Sequence, residues 1–480
     1  MTLAQLGLLA LVLYLGGLVV VAERARRARL DLSPADHFLA GRRLGTAVLF
    51  LTLYATAYSG NSLLGYPGEA YRRGFSWIMA TGFMLSIIVV FHGLAPRLRP
   101  LAVVHRFVSP GDYLRLRFGD QAYGGALRVA VALLMTVALS NFLLAQLIAM
   151  GHVTQQVTGG IVPYAAGVIG LAMMIVFYEV RGGMRAVAWT DAIQGVLMGV
   201  GLAALLGWLL FAAGGLGAMT REIIEVRPDA VRVPGPHEIA NWISTIALLG
   251  LGSVLYPQAI QRIFAARSAR ALKRSFALMS FMPLATTTVV TLIGLAAIPR
   301  FHHLGTVEAD TVMPRLLGLW AEAGTAAAIP ATLVFIGALA AIMSTADSVL
   351  LSLGSIVAQD LLGRAADDSA TTRVGKAISI GVAAGMVGLA LRPELSLWRL
   401  IELKMELLIQ CVPSFLMSLH WRRTRAGPLL AGLLAGSAVA IAGPLLGEKR
   451  LAGVHIGVIG LALNAAIAFG LSAWPRRLRR

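Results

Sequence analysis

Apolar runs of about 20 residues recur along the chain, each separated from the next by a short polar segment. An opening run covers about 3–22, and twelve more follow at about 46–68, 77–95, 124–150, 161–178, 187–213, 239–259, 275–299, 326–357, 374–391, 399–419, 427–446 and 452–473. A helix of roughly 20 apolar residues spans the hydrocarbon core of a bilayer. The pattern therefore predicts an all-α polytopic membrane protein with about 13 spans.

The informative positions are those where polar groups interrupt the apolar pattern. Between Ile336 and Asp360 the run carries Ser344, Thr345, Asp347 and Ser348 near its middle. On a helix, Gly337, Ala341, Ser344, Thr345, Ser348, Ser352 and Ser355 fall at spacings of three and four and form one stripe of small and hydroxyl side chains. Such a stripe alone serves close helix packing, but a carboxylate at that depth marks an ion or substrate path. In the span at 46–68, Ser59, Gly60, Asn61 and Ser62 interrupt the helix at mid-depth and Pro67 breaks it again. Backbone freed in lipid survives where it lines a cavity or a site. The span at 239–259, with Gly250, Gly252, Ser253, Tyr256, Pro257 and Gln258, is the second candidate for a broken helix. The two breaks lie five helices apart, the offset of an inverted five-plus-five repeat with its site at the repeat interface. Ser140, Asn141 and Gln146 on one span, and Glu402, Lys404, Glu406 and Gln410 on another, complete the polar positions within apolar runs.

Composition agrees: 58% of residues are hydrophobic and 13% charged, with a mean hydropathy of +0.77. The net charge of +18 would suggest nucleic acid in a soluble chain. Here Lys and Arg gather between apolar runs, roughly 29 in the segments expected on the cytoplasmic side and roughly 11 outside. That asymmetry predicts an N-terminus outside and a C-terminus inside, ending in Arg476, Arg477, Arg479 and Arg480. Because Arg24, Arg26, Arg27 and Arg29 follow the first run instead of preceding it, it reads as a retained span and not a secretory signal. The lone Cys411 excludes an intramolecular disulfide and a thiol metal cluster. No inter-span segment is long enough for a soluble domain, and no HExxH, P-loop or GxSxG motif occurs, so the chain reads as a single membrane domain and not as an enzyme.

The stretch Arg181-Gly-Gly-Met-Arg-Ala-Val-Ala-Trp-Thr-Asp-Ala-Ile-Gln-Gly195 resembles the signature of the sodium/solute symporter family. SGNSLLGYPGEAYRRG (59–74), AQLIAMG (145–151), YPQAIQR (256–262), AAIMSTADS (340–348), and QCVPSF with HWRR (410–423) match the family in order, so the resemblance covers nearly the whole chain. It implies a LeuT-type core of two inverted five-helix repeats working by alternating access. On this sequence the first repeat is 46–213 and the second 239–419, with an extra span at 3–22 and two more at 427–473.

The resemblance also implies a sodium site held by the backbone carbonyls of Ala55, Tyr58 and Ala341 and the hydroxyls of Ser344 and Thr345. Neutral oxygen ligands suit a hard cation that must also leave. A second sodium or proton site would use Asp191, Ser344, Asp347 and Ser348, with Asp347 standing where some members have a hydroxyl. Asn61, Gln146 and Gln258 are candidate substrate contacts by position and polarity. Ala57 replaces an aspartate of the proline symporters, and PGEAYRRG with YLRLRF (113–118) resembles the branch handling small anions. The expectation is sodium-driven symport of a small carboxylate, such as a monocarboxylate or pantothenate-like compound, in a bacterial inner membrane, with no nucleic acid and no obligate protein partner. The alternatives are a proton-coupled or sodium-independent carrier of the same fold, and a transporter-like solute sensor. The sensors of this family carry appended cytoplasmic domains, and about seven residues follow the last run here.

Overall fold

A computed structural model describes residues 3–473, except 32, 302–303, 307, 366–367 and 393–396, together with all side chains in that range but those of 3, 61, 325 and 326. The terminal arginines at 476–480 lie outside the described residues, as does the side chain of Asn61. The chain is helical nearly throughout. Its main helices are α1 (Leu3–Arg27), α2 (Thr46–Ala57), α3 (Tyr66–Arg73), α4 (Met79–Val104), α5 (Gly124–Val157) and α6 (Tyr164–Ala213). They continue with α7 (Pro236–Ser253), α8 (Pro257–Ala265), α9 (Ala269–Met279), α10 (Thr288–Ala296), α11 (Thr325–Ile356), α12 (Ser369–Ala390), α13 (Leu397–Leu408), α14 (Ala426–Leu445) and α15 (Ile456–Ala473).

Among the described residues, nine helices are long and apolar enough to cross a membrane, and the bent pair α7–α8 makes a tenth. The difference from about 13 apolar runs has a local cause in each case. The run at 46–68 is split into the short α2, a π-helical stretch at Asn61–Gly65 and α3. The runs at 161–178 and 187–213 fall on either side of Gly183 in α6, where φ is +57° and a Cβ would lie 2.5 Å from the His37 carbonyl oxygen, so only glycine turns the corner there. The run at 399–419 is interrupted after Leu408 by a tight turn and a π-helical turn beginning at Pro413.

α11 lies at the centre. In its most apolar stretch 78% of residues are buried inside the protein, against 17% for α1. The small-residue stripe read from the sequence sets this position. A Cβ on Gly337 would meet the Leu197 backbone of α6 at 3.3 Å, and one on Gly354 would meet the Gly375 carbonyl of α12 at 2.8 Å. Further along, the Ser352 hydroxyl donates to Gln261 Oε1 at 2.6 Å and Gln261 Nε2 donates to Ser355 at 2.7 Å, tying α11 to α8. α14 and α15 pair at one side, where Gly436 and Gly460 let the backbones touch and a two-stranded ribbon at 450–451 and 454–455 joins the helices. Glu402 and Glu406 of α13, two of the polar positions within apolar runs, are buried. Glu402 meets Arg399 at 3.1 Å and Arg450 at 2.5 Å, and Glu406 lies 3.8 Å from Arg399 and 3.9 Å from His455.

Candidate functional site

α2 ends where Tyr58 leaves helical geometry at φ −103° and ψ 77°. Two residues later the Gly60 amide, which a continuous helix would spend on Thr56, donates instead to Gln146 Oε1 of α5 at 2.9 Å. A Cβ on Gly60 would lie 2.8 Å from Ile342 Cγ1 and 3.0 Å from Ala149, so glycine is needed for the break to press against both α11 and α5. Gln146 thus holds the break open, which differs from its expected role as a substrate contact. Gln146→Leu is expected to cost about 1–3 kcal/mol, the penalty of an unpaired buried amide, read as a lowered thermal midpoint with the helical content unchanged.

The break packs against α11 at Ile342. Ala55, Tyr58, Ala341, Ser344 and Thr345 are all buried, and the Thr345 hydroxyl donates to the Ala341 carbonyl at 3.3 Å. The Tyr58 hydroxyl accepts from Thr287 at 3.3 Å, which anchors the end of α2 to the start of α10.

One turn further along α11 the expected second site is built around a fixed cation. Asp191 of α6 accepts from the hydroxyls of Thr52 and Ser344, and Arg262 Nη2 of α8 lies 2.9 Å from its carboxylate. The rest of the guanidinium is also committed: Nη2 donates to Ser348 at 2.7 Å, Nε to Thr52 at 2.9 Å and Nη1 to the Gln258 carbonyl at 3.0 Å. Asp191, Ser344 and Ser348 therefore converge on Arg262. Asp347 makes no ion pair with it and accepts from the Tyr178 hydroxyl at 2.6 Å and from Ser348 at 3.1 Å. Arg262, Thr52 and Tyr178 were not legible as site residues; Arg262 appears in the sequence only as the last residue of the YPQAIQR motif.

Between the two broken helices lies a partly open cavity. Thr56, Tyr58, Ser59 and Ser62 line it from the first break, and Ser253, Tyr256 and Gln258 from the second. Phe83 and Phe91 of α4 add apolar walls, and Lys404 of α13 closes the cavity against Phe142. Gln258 is buried with both amide atoms free of protein partners, so of the two expected substrate contacts whose side chains are described, Gln146 and Gln258, it is the one that lines the cavity with unused hydrogen-bonding capacity.

A cavity between two broken helices, beside buried hydroxyls in a bundle of apolar helices, defines a membrane transporter of the LeuT-type fold. The solved structure of a Na+-coupled sialic acid symporter in a substrate-bound outward-open state superposes with a TM-score of 0.78 at 18% identity, covering 97% of both chains. Mhp1, a nucleobase-cation-symport-1 family transporter, superposes with a TM-score of 0.59 at 16% identity, covering 92% of this chain and 96% of its own. The sequence pattern of the sodium:solute symporter family matches residues 37–436, and the chain belongs to that family. Similar relatives include the high-affinity proline transporter of Bacillus subtilis, 30% identical over 85% of this chain and 86% of the relative. The sodium/pantothenate symporter of Escherichia coli is 26% identical over 90% of this chain and 88% of the relative.

Proposed function

We propose that this chain is a sodium-driven symporter of a small organic carboxylate, working by alternating access in a bacterial inner membrane with its N-terminus outside and its C-terminus in the cytoplasm. The observation that carries the reading is the break at Tyr58–Gly60, wedged against Ile342 of α11 and propped by Gln146. Sodium would take the carbonyls of Ala55, Tyr58 and Ala341 and the hydroxyls of Ser344 and Thr345, replacing its hydration shell with neutral oxygens. Because those ligands sit on two helices that move relative to one another, bound sodium favours the arrangement that brings them together, and cargo binding draws on the same shift. In this reading residues 46–213 and 239–419 are the two five-helix repeats. The carboxylate reading is supported by the relatives, since proline, pantothenate and sialic acid, the cargoes in their names, all carry a carboxylate.

A second reading is favoured by one observation: Asp347 is buried with no basic side chain at ion-pair distance among the described residues. That carboxylate suits a proton carrier. The test is the thermal stability of the purified protein in sodium against potassium at equal ionic strength. Sodium at a hundredfold above its dissociation constant is expected to stabilise by about 2.7 kcal/mol. A response to pH with none to sodium would transfer the coupling to Asp347.

A further inference from the structure

We infer that Lys404 is the anchor for the cargo's carboxylate and that the cavity selects acids lacking an amine. The inference rests on the symport reading above and names the contact that the reading leaves open. Lys404 is 1% exposed, its Nζ stands 3.1 Å from the centre of the Phe142 ring and 5.4 Å from that of Tyr256, and those rings stack on each other at 5.1 Å. No hydrogen bond or ion pair engages it among the described residues. Two ring faces attract an ammonium, but they compensate its lost hydration only in part, and an anion entering the cavity completes the compensation.

The other charges nearby are already committed. Arg262, the second cation lining the cavity, spends its donors on Asp191, Ser348, Thr52 and the Gln258 carbonyl. Glu402 and Glu406, two positions either side of Lys404, belong to the Arg399, Arg450 and His455 cluster. Lys404 is left as the uncommitted cation, and no Asp or Glu lines the cavity among the described residues.

The missing acid carries the specificity. An amino acid brings an ammonium that would be desolvated in a cavity holding one uncommitted cation and no carboxylate, whereas an amine-free acid presents one anion to Lys404 and an apolar body to Phe83, Met84 and Ile88. The free amide of Gln258 donates and accepts, which suits a keto, hydroxy or amide group on the cargo. The cargo class is therefore a small monocarboxylate without an amine. Proline, carried by one of the relatives, falls outside it.

The test is binding to the purified full-length protein in sodium, followed by thermal shift and by uptake into proteoliposomes. The probes are propionate, pyruvate, phenylacetate and pantothenate, each beside its amide, with proline and alanine as zwitterions. At least one acid is expected to bind, with its amide and both zwitterions weaker by about 30-fold or more. Lys404→Gln is expected to weaken the acid by a similar factor, about 30-fold, while the stabilisation by sodium alone persists; Lys404→Arg is expected to restore most of the binding. Should Lys404→Gln fail to fold, the acid-against-amide comparison in the wild type and the apolar Lys404→Met decide the matter. Binding of proline or alanine as tight as that of the acids, acid affinity unchanged in Lys404→Gln or Lys404→Met, or no response to any acid would overturn the inference. Loss of the sodium response alone, with Lys404-dependent acid binding intact, would instead remove the sodium coupling and leave the anchor standing.

Discussion

Replacing Arg262 by methionine is expected to destabilise the protein by about 3–5 kcal/mol, because it leaves the Asp191 carboxylate charged, buried and without its cation. Asp191 and Arg262 are both fully buried, so water cannot take over the role of the missing partner. Asp191→Leu alone is expected to be as damaging for the converse reason, since the guanidinium would keep only Thr52, Ser348 and a carbonyl. The double replacement Asp191→Leu with Arg262→Met removes both charges and is expected to be less destabilising than either single change, giving a large coupling in a double-mutant cycle. Thermal midpoints of the four proteins in detergent measure this. A loss in Arg262→Met of under about 1 kcal/mol, the range of an exposed pair, would mean that the cluster is open to water.

The second large effect is on sodium. In the proposed sodium site Thr345→Ala would remove one of five oxygen ligands, and it is expected to raise the sodium concentration for half-maximal uptake about tenfold or more, on a cost of about 1–3 kcal/mol. Its folding is expected to persist, because the Thr345 hydroxyl bonds only to the Ala341 carbonyl of its own helix. Ser344→Ala is expected to weaken sodium as well but to lower stability too, since the Ser344 hydroxyl also donates to Asp191. The contrast between the two neighbours separates the proposed ion site from the Arg262 cluster. Thr345 is the cleaner probe.

Much of this organisation was legible in the sequence, and the parts that were not share a physical cause. The spans follow from apolar runs whose length alone matches a bilayer. Both helix breaks were visible because Gly, Ser and Pro interrupt otherwise apolar runs, at Ser59–Ser62 and at Ser253–Pro257, and the structure bends α7 against α8 by 49° at the second. The stripe of α11 was visible because helical periodicity puts Ser344, Ser348, Ser352 and Ser355 on one face, and all four are buried. What stayed hidden were contacts between residues far apart in the chain. Arg262 sits 71 positions from Asp191, and nothing local distinguishes a guanidinium that dives into a carboxylate from one that flanks a span. Gln146 reads as an ordinary polar residue on a helix until the Gly60 amide, 86 positions earlier, is found on its oxygen. Glu402 and Glu406 read only as polar positions within an apolar run; only the fold brings Arg450 and His455 over them. Lys404 was visible as a charge within a span, but its meaning depended on Phe142 and Tyr256 arriving from α5 and the segment between α7 and α8.

The measurement that tests the central claim most directly is gradient-driven uptake of a labelled acid from the panel above into proteoliposomes, comparing an inward sodium gradient, an equal potassium gradient and a pH gradient, for wild type and Thr345→Ala. The account predicts accumulation above equilibrium with sodium alone, collapse when the sodium gradient is dissipated, and a higher sodium requirement in Thr345→Ala. Uptake that follows the pH gradient, ignores sodium and disappears in Asp347→Asn would contradict it.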